Sequence, residues 1–144
     1  MLGPFPLDAV ITRARTVPGV RIVGNAADLD AAMSTPPNAV PAIYVLSEES
    51  GDEAIGATGK PLQNVAVVVK LVMWVRNAGG AAKVVAAMTA LERELRRVFF
   101  GWSPSAEFRP LTIRASGNEQ AFGDQLIRQL LLSTRYRHTT EATP

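Results

Sequence analysis

The densest group of ionisable side chains in this sequence is acidic: Glu48, Glu49, Asp52 and Glu53 place four of the chain's 13 acids within six positions. Their spacing does not match a calcium-binding loop with its terminal glutamate, and no histidine accompanies them as a transition-metal ligand. Acids of this density belong to a solvated loop or to an electrostatic contact with a basic protein surface. The sharper hypothesis is the contact.

The residues that follow, Gly56 to Lys60, invite comparison with a phosphate-binding loop. That motif would need a glycine where Ala54 stands and a serine or threonine where Pro61 stands, and it should lead from a strand into a helix. None of these conditions is met. The segment therefore predicts a glycine-rich connection without phosphate chemistry.

Catalytic side chains are scarce in the rest of the chain. The sequence has no cysteine and a single histidine, His138, in a polar C-terminal segment. Disulfide scaffolds, zinc–thiolate sites and thiol nucleophiles are excluded, and a Ser/His/Asp triad would rest on that one histidine. We therefore predict no catalytic residue, no metal ligand, no cofactor and no enzymatic activity.

The composition fits one compact domain with a substantial core. The chain has 144 residues, of which 47% are hydrophobic and 19% charged, with a net charge of +2. This charge is too small for a nucleic-acid binder that works through a strongly basic face. It also conceals a division: residues 1–72 carry five basic and seven acidic groups (−2), and residues 73–144 carry ten and six (+4). Such halves are complementary between copies of one chain, although the arginines of the second half could instead face nucleic acid.

No membrane or targeting segment is predicted. The N-terminus has no basic region before its apolar residues, and it contains two prolines and Asp8. The most apolar run, Val65 to Val75, is interrupted by Lys70 and is shorter than the roughly 20 residues that span a bilayer. We expect a soluble protein made in a cytoplasm.

Hydrophobic periodicity and turn residues predict the elements. The pattern indicates two short N-terminal helices, one long later helix and several strands. The first helix is built on Leu7, Val10, Ile11 and Ala14, a short extended stretch covers Val20–Val23, and the second helix begins at the Asn25 cap. After these come strands at Val40–Leu46 and Leu62–Arg76, a helix over Ala81–Phe99 closed by Gly101, a short strand at Leu111–Arg114, a turn at Ser116–Glu119 and a last strand at Leu126–Tyr136.

The apolar faces of these elements define the expected core. In the long strand, alternate residues from Val65 to Val75 are all apolar. In the last strand the shared face carries Leu126, Leu130, Leu132 and Tyr136. The helix stripe is expected to contain Val84, Val85, Met88, Leu91, Leu95, Val98 and Phe99, and the second helix an apolar side of Leu29, Ala32 and Met33.

Together the elements predict an α+β fold. We expect a mixed or mainly antiparallel sheet, with the long helix packed across one face and two short N-terminal helices. Residues 1–138 form the single predicted domain, and 139–144 a mobile C-terminal tail. Between the first two predicted strands, Ser47–Pro61 is expected to be a long charged loop.

Several local patterns, taken in order along nearly the whole chain, resemble the tail terminator (tail-completion) proteins of tailed bacteriophages and gene transfer agents. The similarity lies in their order and spacing. The patterns are an early helix with a Val-Pro-Gly-Val turn (Val17–Val20), the helix start Gly24–Leu29, Pro41–Val45, the glycine-rich loop, a strand ending at Val75–Asn77, a helix ending near Gly101–Pro104, and a final strand carrying Leu132–Tyr136.

The resemblance implies a structural virion protein. It would form a homo-oligomeric ring, usually a hexamer, at the head-proximal end of the tail tube, stop tube polymerisation and join the tail to the head connector or stopper protein. DNA would pass through the channel without sequence-specific binding. Assembly would take place in the host bacterial cytoplasm and would involve no membrane. In a cyclic ring each subunit presents two different complementary surfaces, as the charge division allows.

Two groups of residues are candidate interface positions under this interpretation. The loop residues Glu48, Glu49, Asp52, Glu53 and Lys60 are expected to contact the tube or a neighbouring subunit. A second candidate group comprises Arg93, Arg96 and Arg97 on the long helix.

Two alternatives remain. One is another head–tail joining protein, such as a stopper or neck component. The other is a small nucleic-acid-binding domain that would use Trp74, Lys70 and Arg76 on a sheet face, through stacking and phosphate contacts.

Overall fold

The computed structural model describes residues 3–56, 61–76, 79–122 and 124–139. Within these residues it confirms the α+β class, with a mixed sheet, one long helix and two short N-terminal helices. The elements, in chain order, are α1 (Leu7–Ala14), β1 (Ile22–Gly24), α2 (Ala26–Ser34), β2 (Ala42–Gly51), β3 (Leu62–Arg76), α3 (Ala81–Phe99), β4 (Thr112–Phe122) and β5 (Gln125–Thr139).

The five strands form one sheet in the order β1-β2-β3-β5-β4. β1 is parallel to β2, and the other neighbouring pairs are antiparallel. β3 lies at the centre and pairs with β5 over its whole length, from Leu62–Thr139 to Arg76–Gln125. The length predicted for β3 is therefore accommodated inside the sheet, because β5 is equally long.

The main core lies between one face of the sheet and helices α1 and α3. The alternating residues of β3 from Val65 to Val75 are all buried there, as predicted from their parity. The predicted α3 stripe is buried at six positions, but Val85 is 46% exposed. Val85 follows Val84 by one residue and so points about 100° away around the helix. The predicted face of β5 also contributes to this core.

A second, smaller core lies on the opposite face of the sheet, where α2 covers one end. Ala32 of α2 packs there with Tyr44, Trp74 and Ile127, and Leu29 packs against their cluster. Met33, predicted to share the apolar side of α2, is 51% exposed. Beyond α2 this face carries half-buried residues that no described element covers. We call this uncovered part the open face; it includes Leu46, Ala66, Val68, Lys70, Leu131 and Ser133.

The helix ends follow the residues predicted to set them. Asn25 caps α2: its side chain accepts from the Asp28 backbone N–H at 3.1 Å, while the Asp28 carboxylate accepts from the Asn25 N–H at 2.8 Å. After α3 the chain turns at Gly101, whose φ of +81° suits glycine. At the same helix end Arg13 donates to the Val98 carbonyl at 2.8 Å, which ties α1 to α3.

Two predicted connections are wrong in part. Ser47–Gly51, expected in a loop, continues β2 and pairs with Val65–Val69 of β3, because cross-strand pairing outweighs the acidic composition. The expected turn at Ser116–Glu119 lies within β4, where register shifts accommodate Gly117 and Asn118 at positive φ. β5 includes His138, which pairs with Gln63, and ends at Thr139; positions 140–144 of the predicted tail lie outside the described residues.

Candidate functional site

The acidic run lies where β2 leaves the sheet, at the end that we call the hairpin end. Asp52 N donates to the Asn64 carbonyl at 2.9 Å, and Ile55 bridges to Leu62. Glu48 and Glu53 are exposed. Lys60, also predicted here, lies outside the described residues, as does most of the glycine-rich segment. The predicted loop thus begins later than expected, and Glu48, Glu49 and Asp52 lie on backbone that pairs with β3.

Glu49 is bound within the subunit. One carboxylate oxygen accepts from the Tyr136 hydroxyl at 2.6 Å, and the other accepts from the Phe5 backbone N–H at 3.1 Å. Burial, reinforced by the adjacent carboxylate, raises the pKa of Tyr136 to about 12. The Tyr136 and Phe5 rings both meet the Phe108 ring edge-on. Glu49 therefore links the N-terminal segment to β5, and its direct contact with a partner would compete with these bonds.

The other acids have weaker partners or none. Glu48 lies 3.9 Å from Lys70, and its side chain is 76% exposed. Asp52 pairs with Arg135 at 3.0 Å, with both side chains about half exposed. Glu53 makes no ion pair with any residue that the structure describes. Glu48 and Glu53 are consequently the acids most available to a partner.

The predicted arginines on α3 also differ in whether their charge is paired. Arg96 pairs with Glu92 at 2.6 Å, and Arg97 pairs with Glu94 at 2.8 Å. Arg93 is exposed and has no ion pair among the described parts of the chain. Arg93 is the only one of these three arginines whose charge is not already paired in the described structure.

Glu92 is the centre of a network between α3 and the sheet. Its side chain is 12% exposed and accepts from Arg96, from Ser116 at 2.6 Å and from Arg128 at 3.4 Å. Burial is the largest single influence and works to raise its pKa, but these hydrogen bonds together outweigh it and hold the pKa below its usual value. Arg128 also pairs with Glu119 at 2.6 Å. We call these five residues the Glu92 network.

A second set of arginines gathers at the hairpin end of the open face, and the sequence did not predict that these four would meet. This arginine group comprises Arg109, Arg114, Arg135 and Arg137, which line two grooves of about 410 and 420 Å³. Arg135 and Arg137 share a face because they are two residues apart on β5. The two-residue spacing of Arg135 and Arg137 could be seen in the sequence. Arg109 and Arg114 are brought beside them only by the folding of the chain.

Metal chemistry finds no support in the described residues, which hold no cluster of three or more histidines and acids able to bind a metal ion. His138 is exposed on β5, opposite Gln63. None of the helices within the described ranges combines the length and apolar character needed to cross a bilayer.

A family comparison adds to this geometry. The sequence model of the family described as phage tail terminator protein matches residues 1–141 of the chain. The chain belongs to the phage tail terminator family. This confirms the resemblance drawn from the order of its motifs, and it identifies a structural component of a phage tail and thus of a virion. No curated protein matches the chain.

In this tail terminator family member, the sheet surface suggested for nucleic-acid stacking has a structural role instead. Trp74 is 1% exposed under α2, meets Tyr44 edge-on and donates to Gln125 at 2.7 Å. Arg76 lies 3.8 Å from Asp124. Because the indole is enclosed, it cannot stack on a base without unpacking α2, so the premise of that alternative is wrong.

Proposed function

We propose that this protein forms a homo-oligomeric ring, expected to be a hexamer, at the head-proximal end of the phage tail tube. There it terminates tube polymerisation and joins the tail to the head connector or stopper protein. The observation that carries the proposal is the family match over residues 1–141. Because the match spans the sheet, all three helices and the hairpin end, it concerns the whole described fold rather than one motif.

The distribution of charge supports a ring. At the hairpin end of the open face, acids lie on the β2 side of the sheet, and the arginine group lies on the β5 and β4 side. A ring built head to tail requires two different complementary surfaces on each subunit. DNA passing through such a ring would need only weak contacts that do not depend on sequence.

The predicted interface residues enter the proposal with different roles. Glu48, Asp52 and Glu53, with Lys60 beside them in the sequence, form the contact with the tube or a neighbouring subunit. Glu49 shapes this contact indirectly, since both of its carboxylate oxygens are bound within the subunit. On α3 the second contact rests on Arg93, while Arg96 and Arg97 remain paired with helix acids.

The decisive experiment mixes the purified protein with polymerising tube protein from the same phage. We expect tubes blocked at one end and shorter than tubes grown alone, and a ring mass by native mass spectrometry. Unchanged tube length with both ends bare would overturn the proposed role.

The same assay separates the nearest alternative, a stopper or neck protein. Such a protein would leave tube growth unchanged and bind the isolated head connector instead.

A further inference from the structure

We propose that the arginine group is the binding site for the acidic β2 side of a neighbouring copy of this chain, with Glu48 and Glu53 of that copy as its main counterions. The inference rests on the proposed ring and deepens it, because it names the two surfaces that meet between subunits. Glu48 and Glu53 were already candidate interface residues from the sequence, whereas their binding site on the neighbouring copy follows from the fold.

The backbone beneath the arginine group is firmly fixed. Arg109 N donates to the Arg135 carbonyl at 3.0 Å, and the Thr134 hydroxyl donates to the Arg109 carbonyl. This arrangement fastens the segment before β4 onto β5 at the point where the two grooves adjoin. The grooves are therefore preformed and do not need to be ordered by a partner, which lowers the cost of binding.

The charges of the arginine group are only partly balanced within the subunit. Arg135 pairs with Asp52, and Glu107 also lines one of the grooves. Arg109, Arg114 and Arg137 are exposed and make no ion pair with any other described residue. Guanidinium groups gathered in this way favour carboxylates, which they bind in a planar, two-pronged geometry.

The matching acids lie on the β2 side of the same sheet. β3 alone separates them from Arg135 and Arg137 on β5, and both β3 and β5 separate them from Arg114 on β4. β1 pairs with β2 only at Ala42–Tyr44, so no described strand covers the outer side of β2 around Glu48. A second copy placed beside the first, in the same orientation, brings Glu48 and Glu53 towards the arginine group. This head-to-tail contact is the type that closes into a ring.

The contact is made by side chains rather than by joining two sheets. β4, the edge strand on the arginine side, has register shifts at Ile113/Ala115 and at Gly117/Gln120. Bulges of this kind protect a sheet edge from pairing with another strand. Charge complementarity is therefore the remaining means by which this side recognises a neighbour.

A second copy explains the surface better than duplex DNA does. A polyanion laid across the open face would meet Glu48 and Asp52 as well as the arginines, and like charges would repel it. A neighbouring copy instead brings its own acids to the arginines, so most of the facing charges are opposite; Glu107 is the one acid among the described residues that line the two grooves.

Charge reversal on each side, separately and together, tests the proposal. The variants are Arg109→Glu/Arg137→Glu and Glu48→Arg/Glu53→Arg, compared with wild type by native mass spectrometry and light scattering at about 50 mM salt. We expect each double variant to lower the ring fraction on the order of tenfold. Combining all four changes in one chain should restore rings, because the new glutamates at 109 and 137 then face the new arginines at 48 and 53.

The control is Arg15→Glu/Arg21→Glu, which makes the same charge change at exposed positions in the α1–β1 region and should leave rings intact. All variants should melt as wild type does, since the altered side chains are on the surface. Intact rings in either double variant, a wild-type closed dimer or monomer, or failure of the fourfold variant to recover would each overturn the inference. So would salt-sensitive duplex DNA binding by wild type that Arg109→Glu/Arg137→Glu abolishes while rings persist.

Tube capping is scored separately and decides the proposed role. Wild-type rings that depend on these charges but do not block tube growth would leave the inference standing and remove the proposed function. If the charge-reversal variants keep their rings and still cap tubes, the proposed function stands and the inference about the contact is overturned.

Discussion

Arg128 and Arg137 lie nine residues apart on β5, yet their surroundings are opposite. Arg128, on the α3 side of the sheet, is bound by Glu92 and Glu119 in the Glu92 network. Arg137, on the open face, has no ion pair within the described structure and shares one groove with Arg109 and Arg135. The comparison separates charges that hold the subunit together from charges left for a partner, a distinction that net charge alone does not make.

The largest expected effect on stability comes from disrupting the Glu92 network. Glu92→Gln should lower the free energy of unfolding by about 2 kcal/mol, because it leaves Arg96 and Arg128 without their common carboxylate in a mostly buried site. Urea unfolding followed by circular dichroism measures this change. Glu94→Gln is the matched control: its partner Arg97 is exposed, and we expect a change within about 0.5 kcal/mol. Equal effects of the two substitutions would contradict the special position of Glu92.

The same variant has a defined pH dependence. The pKa of Glu92 is lowered in the folded protein, so its stabilisation is present above the carboxyl pKa of the unfolded chain, near 4.3, and is lost as pH falls through the folded value. The stability difference between wild type and Glu92→Gln should therefore shrink as pH falls below about 4. A difference that stays constant from pH 7 to 3 would show that the carboxylate charge is not what matters.

A smaller effect is expected beside the arginine group, at the bond between Tyr136 and Glu49. Tyr136→Phe should cost about 1 kcal/mol, because one neutral-to-charged hydrogen bond is lost while the ring stays packed. The folded pKa of Tyr136, about 12, exceeds the value of 10 in the unfolded chain. The advantage of wild type is thus complete below pH 10 and disappears as pH rises through 12. Phenolate absorbance during an alkaline titration gives the midpoint, and a Tyr136 midpoint near 10 would refute it.

The smallest effect on stability should come from the arginine group. Arg114→Gln and Arg137→Gln are each expected to change the free energy of unfolding by less than about 0.5 kcal/mol, since both side chains are exposed and neither makes an ion pair with another residue that the structure describes. Thermal melting of the separated subunits gives the measurement. A loss of unfolding free energy comparable to that of Glu92→Gln would show that these arginines stabilise the subunit, as Arg128 does, and would contradict the comparison.

Sequence periodicity predicted the elements with the longest apolar patterns. β3 and α3 have such patterns, with periods of two and about 3.6, so their extents and the faces that they turn to the main core could be read directly. The Asn25 cap was predictable because capping depends on residues three apart. The end of β2 was not, because Ser47–Gly51 has polar residues that stay extended only through pairing with β3.

The candidate site also depends on contacts that could not be predicted from the sequence. The density of acids drew attention to Glu48 and Glu53, but nothing in the sequence indicated that Glu49 between them would be bound by Tyr136, 87 positions away. The arginine group is likewise assembled from β5, from β4 and from the segment before β4. Contacts between residues so distant along the chain are decided by the topology of the sheet, which local patterns do not encode.

The central position of β3 also governs the order of events during synthesis. Its two neighbours are β2, made before it, and β5, which leaves the ribosome more than 45 residues later. Until residues 125–139 have emerged, one edge of a strongly apolar strand has no partner, a condition that favours aggregation. Because Arg135 and Arg137 arrive with that last strand, a nascent chain cannot present the complete arginine group before its own sheet can close. That side of the proposed contact would then be offered only by subunits whose folding is already finished.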